Sequence, residues 1–455
     1  MDSVFAKIPD LGDKIIRELD NQSLVRCKEV QRSWYNFINE EKILWFRMIT
    51  NCIGDINKYL TAWRKILKKA PVAFIMQVAI ATQQFHEKLQ LHEIAPSQIS
   101  PIRVPTTVGN LDLYQQMMVK LADLKKTGIF DSIHSLFIAA NYGQFEISKH
   151  IIGELDDKNP SKPDGLTPFH LAAYNGHYEI CELIVANVTN KNPGRNDGVT
   201  PMYFAAQNGH YEICKLIIIN VDDKNPARHS GITPLYIAAE RGHYEICKLI
   251  ISNVDNRNPA KLNGATPLYI AAKNGQYEVC KLIISNVHDK NPAKDDGMTP
   301  LHIAAQKGHF EICKLILSIV DDKNPAKPDG LTPFHLAAHN GHNKICKLII
   351  ENVNNKNPAR NSDGVTPMYL AAQSGHHEIC KLIIMNVDDK NPAMHNGITP
   401  LYVASERGHY ETFKLIFESL VNANKNPKTD VVHTLLRIAD KKGHYEICNY
   451  INARI

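Results

Sequence analysis

The stretch NPAKDDGMTPLHIAAQKGHFEICKLILSIVDDK, residues 291–323, decides how the rest of the chain is read. Asp296-Gly297 marks a turn, and Thr299-Pro300 behind it opens a helix. Threonine caps a first turn through its hydroxyl, and proline fits the first helical position, where its missing N–H costs nothing. Leu301, Ile303, Ala304 and Ala305 predict a short first helix, apolar nearly all round, whose alanines let neighbours approach closely. Gly308 ends it in the left-handed conformation. His309 begins a second helix, with Ile312, Cys313, Leu315, Ile316 and Leu317 as its apolar stripe.

Working outward, Thr-Pro recurs at Thr167, Thr200, Thr233, Thr266, Thr299, Thr332, Thr366 and Thr399, in steps of 33 residues and once 34. A glycine follows each threonine by nine residues. Degenerate copies flank the array at His134–Gly143 and Thr434–Gly443, which makes about ten units. Asn187, Asn220, Asn253, Asn286, Asn352 and Asn386 end the second helices, where asparagine is expected to take the left-handed cap. A Lys-Asn-Pro run then leads into an extended finger. A slower period lies on top of this one. The stretches at Gly165, Gly198 and Gly231 return at Gly330, Gly364 and Gly397, offset by 165 or 166 residues, as if a five-repeat block had been duplicated.

This pattern resembles the ankyrin repeat: a 33-residue unit with a T-P-L-H-x-A core. The resemblance covers the chain from His134 onward and implies an all-α fold with short β-turn fingers. That fold is a solenoid of helix pairs at 133–455 that binds other proteins. The family's usual link after the second helix is replaced here by Val-Asp-Asp-Lys-Asn-Pro, expected to follow the same path through a stiffer, more polar turn.

Two columns look like chemistry. Cysteine recurs at Cys181, Cys214, Cys247, Cys280, Cys313, Cys346, Cys380 and Cys448, one per repeat. Packed helices lie ~8–10 Å apart, too far for an S–S bond of ~2 Å, so the column reads as small core residues. Histidine follows the turn glycine at His177, His210, His243, His309, His342, His376, His409 and His444, with Gln144 and Gln276 in two units. One histidine per stacked repeat does not converge on an ion, and glutamine takes its place, so the expected role is a structural hydrogen bond. A further column, in which His170, His302 and His335 alternate with Tyr203, Tyr236, Tyr269, Tyr369 and Tyr402, is also read as structural. No nucleotide loop, nucleophile elbow or HExxH places catalytic groups, so no enzymatic activity, cofactor or metal is expected.

Residues 1–50 read as two or three short amphipathic helices, with Ser23 capping the second. Ile8-Pro9, Leu19, Leu24, Val30, Trp34 and Leu44-Trp45 follow a spacing that resembles the F-box. Two features depart from that family: the Pro9–Leu19 interval is one residue short, and Gly12 sits inside the first helix. The resemblance implies docking on a Skp-type adaptor, and through it on a cullin ubiquitin ligase, by Ile8, Pro9, Leu19, Leu24, Val30 and Trp34. The other reading is an unrelated helical cap whose apolar residues form its own core. Residues 51–132 are expected to be a helical linker or cap. Helices are predicted at Ile56–Leu67, Val72–Leu91 and Leu111–Leu124, and a proline-rich loop at Ala95–Gly109.

The partner face of such an array is its concave side, built from finger tips and first helices. Positions there vary while the core does not. Tyr174, Gln207, Glu240, Lys273, Gln306, His339, Gln373 and Glu406 stand just after the alanine pair, and Leu262 is a finger tip. Leu262 with Tyr269, and His339 with Tyr174, are the candidate anchors for a protein substrate, because hot spots favour aromatic and apolar side chains. Neutral drift on a solvated face is the competing reading.

Composition narrows the field further. Of 455 residues, 44% are hydrophobic and 22% charged, as in globular proteins. Residues 1–133 hold 18 Lys/Arg and 14 Asp/Glu, which leaves 34 and 33 of the chain's 52 and 47 for the remainder. So even a balance supplies no basic stripe for nucleic acid. The longest apolar-rich run, Ala70–Ala81, is too short to span a bilayer. The N-terminus lacks an export-signal core, so free thiols in a reducing interior, cytoplasm or nucleus, are expected.

Overall fold

A computed structural model describes residues 72–89, 103–122, 132–423, 425 and 427–454. The six F-box-like positions, Ile8, Pro9, Leu19, Leu24, Val30 and Trp34, and the helix expected at Ile56–Leu67 lie outside the described residues. The chain divides into two compact blocks, Met1–Asp222 and Asp223–Ile455. The first holds α1 (Val72–Leu89), α2 (Arg103–Val108) and α3 (Leu111–Ala122). It continues with the pairs α4/α5 (Ser132–Tyr142, Phe145–Glu154), α6/α7 (Pro168–Asn175, Tyr178–Asn187) and α8/α9 (Pro201–Asn208, Tyr211–Asn220). The second begins with α10/α11 (Pro234–Arg241, Tyr244–Ile251), α12/α13 (Pro267–Lys273, Tyr277–Asn286) and α14/α15 (Pro300–Lys307, Phe310–Ile319). The pairs α16/α17 (Pro333–His339, Asn343–Asn352), α18/α19 (Pro367–Gln373, His377–Ile384), α20/α21 (Pro400–Arg407, Tyr410–Asn422) and α22/α23 (Thr429–Lys441, Tyr445–Asn452) complete it. No strand occurs among the described residues. Within each block, first helices pack on first helices and second on second.

Each first helix that opens with Thr-Pro starts with its N–H groups accounted for. In α16, Pro333 has none to satisfy. The Phe334 N–H donates to Asn324 Oδ1 at 3.1 Å, and the His335 N–H to Thr332 Oγ1 at 3.4 Å. The same pair of caps opens α14 through Asn291 and Thr299, and α6 through Asn159 and Thr167. The link asparagine is thus a second cap, ten residues ahead of the N–H it serves. Its lysine neighbour works backwards. Lys158, Lys191, Lys323 and Lys390 each donate Nζ to a last-turn carbonyl of the preceding second helix, at 2.6–2.8 Å. Lysine suits the negative end of a helix dipole. Lys-Asn is therefore a clip that closes one helix and opens the next, and it explains why this chain departs from the family's link.

Two sequence expectations are corrected. Asn187, Asn220, Asn286 and Asn352 do not adopt a left-handed cap: each is the last residue of its helix, and the valine after it is extended. Their side-chain amides donate instead to the carbonyl four residues back, at 2.8 Å. The backbone must leave in an extended direction to reach the lysine clip, so no reversal is made there.

Ala95–Gly109 is not all loop, because Arg103–Val108 is helical. Pro105 falls in its first turn, where the lost N–H has no intrahelical acceptor anyway. Gly109 then takes φ 83°, and Gln144 Nε2 donates to Thr107 O at 2.7 Å, as the turn residues do throughout the array. Ser100-Pro101 stands nine residues before Gly109, in the Thr-Pro slot. The α2/α3 pair is thus built like the repeats that follow it. The degenerate last repeat opens differently. With Leu435 in place of proline, α22 begins at Thr429, and Thr434 Oγ1 donates to Asp430 O at 2.8 Å inside it.

The core is a set of layers. Ile, Cys and Leu of the second helices meet the alanine pairs of the first, and Phe169, Phe334 and Phe413 are among the largest fully buried side chains. Phe413 fills the cysteine slot of α21, where it stacks on Phe417 at 5.9 Å and meets Tyr450 edge-on at 6.2 Å.

The clip makes a direct prediction. Asn324→Ala should lower the stability of the full chain by about 1 kcal/mol, read as a lower urea midpoint by circular dichroism. Asn324→Asp, which keeps the acceptor oxygen, should restore most of the loss.

Candidate partner-binding face

The face is assembled from the first helices and the fingers, and two histidine columns fix its backbone. In the Thr-Pro-x-His repeats the ring lies under the cap. His335 Nδ1 accepts the Thr332 N–H at 3.2 Å, so the ring proton sits on Nε2, which donates to Val365 O of the next repeat at 3.0 Å. His170 and His302 make the same pair of bonds, to Val199 O and Leu331 O. Each ring bonds its own cap to the finger of its neighbour, and all three are fully buried. Burial holds all three imidazoles down at about 4, against the pull of the accepting carbonyl. Tyrosine at this position keeps the threonine cap, at 3.2 Å, without the ring bonds.

The second column faces backwards. His342 Nε2 donates to Gln306 O at 3.1 Å, His376 to His339 O at 3.1 Å, His409 to Gln373 O at 3.0 Å and His444 to Glu406 O at 3.0 Å. His309 reaches Lys273 O at 3.1 Å, and in the first block His210 reaches Tyr174 O at 3.0 Å. Each ring lies against the turn glycine of the preceding repeat. A Cβ on Gly308 would stand 2.6 Å from the His342 ring, at a backbone φ of 82°. Glycine is needed there twice over, for its conformation and for the ring's approach.

These carbonyls belong to the variable row. Tyr174, Lys273, Gln306, His339, Gln373 and Glu406 have their backbones pinned by the next repeat's histidine, and the Glu240 carbonyl is held by Asn274 Nδ2 at 2.9 Å. Tyr174, Lys273 and His339 are exposed, while Gln207, Glu240, Gln306, Gln373 and Glu406 are half-buried. Leu262 is 78% exposed at its finger tip, and its N–H reaches Ser230 O of the preceding finger at 3.4 Å. Tyr269 is different. It is buried, with Lys294 Nζ 5.1 Å above its ring, so it does not face a partner.

Two features of this face escaped the sequence reading. Phe204 packs edge-on against Tyr174, with ring centroids 5.4 Å apart, and makes an aromatic edge in the first block. A cation stands three residues before six of the finger glycines, at Lys162, Arg195, Arg228, Lys261, Lys294 and Lys327, and four before Gly364, at Arg360; Met394 takes the place before Gly397. Lys162 covers Phe137 at 4.7 Å and Lys261 covers Tyr236 at 5.4 Å, while Arg195 and Arg360 pair with Asp164 and Asp363. The signal was there: a basic column broken only at Met394, with an aspartate or asparagine two or three residues on in every unit but that of Arg228.

Among the described residues no group of three His, Cys, Asp or Glu side chains converges to hold a metal ion. Cys181, Cys214, Cys247, Cys280, Cys313, Cys346, Cys380 and Cys448 are free and buried, and desolvation holds the thiols of Cys247, Cys280, Cys313 and Cys380 up at about 12. These are inert core groups rather than nucleophiles. A cleft of about 370 Å³ between link loops is lined by Lys323 and Asn324, both already used as caps.

Two comparisons with known proteins bear on this arrangement. The family model described as ankyrin repeats (three copies) matches residues 136–227, 219–294, 235–326, 279–360 and 318–392. These spans run without a gap over 136–392, more than half of the chain. No curated protein matches the chain.

The buried histidines set an acid limit. An unfolded imidazole titrates near ~6.5 and these rings near about 4, so between the two values the unfolded chain binds more protons. Their stability is fully present above the unfolded value and is lost as pH falls through the window, by roughly 3 kcal/mol per ring. His335→Tyr, the residue of sister repeats, should flatten the fall in urea midpoint between pH 6.5 and 4. His342→Ala should cost about 1 kcal/mol and His342→Gln less, measured the same way at neutral pH.

Proposed function

Because the chain belongs to the ankyrin-repeat family, we propose that it is a protein-interaction adaptor that binds through the pinned row of first-helix residues and finger tips. Ankyrin repeats are protein-binding scaffolds, and one observation supports this reading above the others. The groups that hold the face together recur with few substitutions, whereas the side chains on the held backbone, from Tyr174 and Lys273 to His339 and Glu406, span aromatic, cationic, amide and acidic chemistry. A rigid backbone with varied side chains keeps the entropic cost of binding low. Tyr174, with Phe204 beside it, and Leu262 are the anchors.

The finer reading is a substrate-recognition subunit of a Skp–cullin–F-box ubiquitin ligase. The F-box-like spacing of Ile8, Pro9, Leu19, Leu24, Val30 and Trp34 supports it. In this role the protein is a tether: the array holds a substrate, and the N-terminal helices hold the ligase, which raises the effective concentration of substrate lysines. Among the described residues no helix is long and apolar enough to cross a membrane.

The test is co-purification of a Skp-type adaptor with the full chain, beside Pro9→Ala/Leu24→Ala. Adaptor retained by the parent chain and lost from the variant is the expected result. A folded chain that retains no adaptor leaves a scaffold without a ubiquitin link. For a substrate captured by the array, Tyr174→Ala or Leu262→Ala should weaken binding tenfold or more, about 1.4 kcal/mol, by titration calorimetry.

A further inference from the structure

The two copies of the first repeat in the duplicated block differ in a way that core packing does not explain. Gly165–Ile184 and Gly330–Ile349 differ at four of their twenty positions: Tyr174 against His339, Tyr178 against Asn343, Glu179 against Lys344, and Glu182 against Lys347. None of these eight residues is buried, while every core residue of the stretch is the same in both copies. Two of the four changes invert charge on the outward side of the second helix. In every other full repeat that pair of positions is one Glu and one Lys, as in Glu212/Lys215, Glu278/Lys281 and Glu378/Lys381. Spaced three residues apart on a helix, such a pair balances itself; Lys215 Nζ lies 4.0 Å from Glu212.

The array therefore carries one outer-face patch with two carboxylates and one with two ammonium groups, against balanced neighbours. On α7, Tyr178 Oη donates to Glu182 at 3.0 Å and helps to fix its carboxylate. On α17, Lys344 and Lys347 are exposed, and among the described residues no ion pair engages either. Glu351, one turn beyond Lys347, is the acidic group on the same helix, and Glu311/Lys314 and Glu378/Lys381 flank it as balanced pairs. The first-helix rows described above take no part.

We propose that a second copy of this chain is the partner of these patches: Glu179 and Glu182 of one molecule meet Lys344 and Lys347 of another. Charge complementarity between two sites of one sequence is what selects this occupant. The remainder of the outer faces is balanced, so it neither attracts a general polyanion nor repels a copy of itself. Because every charge involved is exposed, the association is weak and salt-dependent. It serves to bring two substrate-binding faces together rather than to build a permanent oligomer.

The purified full chain tests this by sedimentation velocity over a range of concentrations. At about 20 mM salt the weight-average sedimentation coefficient should rise with concentration, and at about 0.5 M salt, where the Debye length is only a few ångströms, the rise should vanish. Lys344→Glu/Lys347→Glu and Glu179→Lys/Glu182→Lys each place in one copy the residues its sister already carries, so neither disturbs the fold, which circular dichroism checks. Each variant alone should stay monomeric, and an equimolar mixture of the two should regain the association. A parent chain monomeric at every concentration in low salt overturns the proposal. So does association that survives both double substitutions, or a mixture that stays monomeric.

Discussion

The structure depends on one short contact made repeatedly: an imidazole Nε2–H donated to a backbone carbonyl of the preceding repeat, with the ring lying on a glycine. A single helix pair of some twenty ordered residues cannot bury enough surface to be stable. What makes a stack of them specific is a bond that fixes the distance and rotation between neighbours. His342 on Gln306 and Gly308, and His376 on His339 and Gly341, fix both. The other column, His335 beneath Thr332 and against Val365, adds a bond in the other direction. Between them the two columns bond the repeat of His335 and His342 to the one before and the one after.

That constraint also separates structure from recognition. The carbonyls that receive the histidines belong to the residues whose side chains vary most. A residue can change its side chain freely when only its backbone is used by the fold. Tyr174, Lys273 and His339 stand at the same backbone position with different chemistry, and all three side chains are exposed. This is how a chain made of nearly identical units can present a non-repeating surface.

The link between repeats is the second place where ordinary physical chemistry replaces the family's habit. A helix ends with carbonyls unpaired and the next begins with N–H groups unpaired. Lys323 and Asn324, adjacent in sequence, satisfy one of each. The same economy appears at the N-terminal edge, where Gln144 and Gly109 reproduce the lock with glutamine in place of histidine.

By itself the sequence determined the repeat, its period and its helix pairs. Thr299-Pro300 and Gly308 act within one turn of backbone, and local rules of capping and conformation are enough to place them. It also determined that the cysteines and histidines form columns without converging. What it misread were the residues whose partners are distant or whose neighbours override propensity. Asn187 looked like a left-handed cap, but the lysine clip pulls the backbone out extended. Pro105 looked like a break, but it falls in a first turn. Tyr269 looked like an anchor, yet Lys294, twenty-five residues on, covers it. Only the tertiary structure decided which carbonyl each histidine holds, and hence which row of side chains is presented on a fixed backbone. Those bonds join residues about 36 positions apart, and nothing local to either end specifies them.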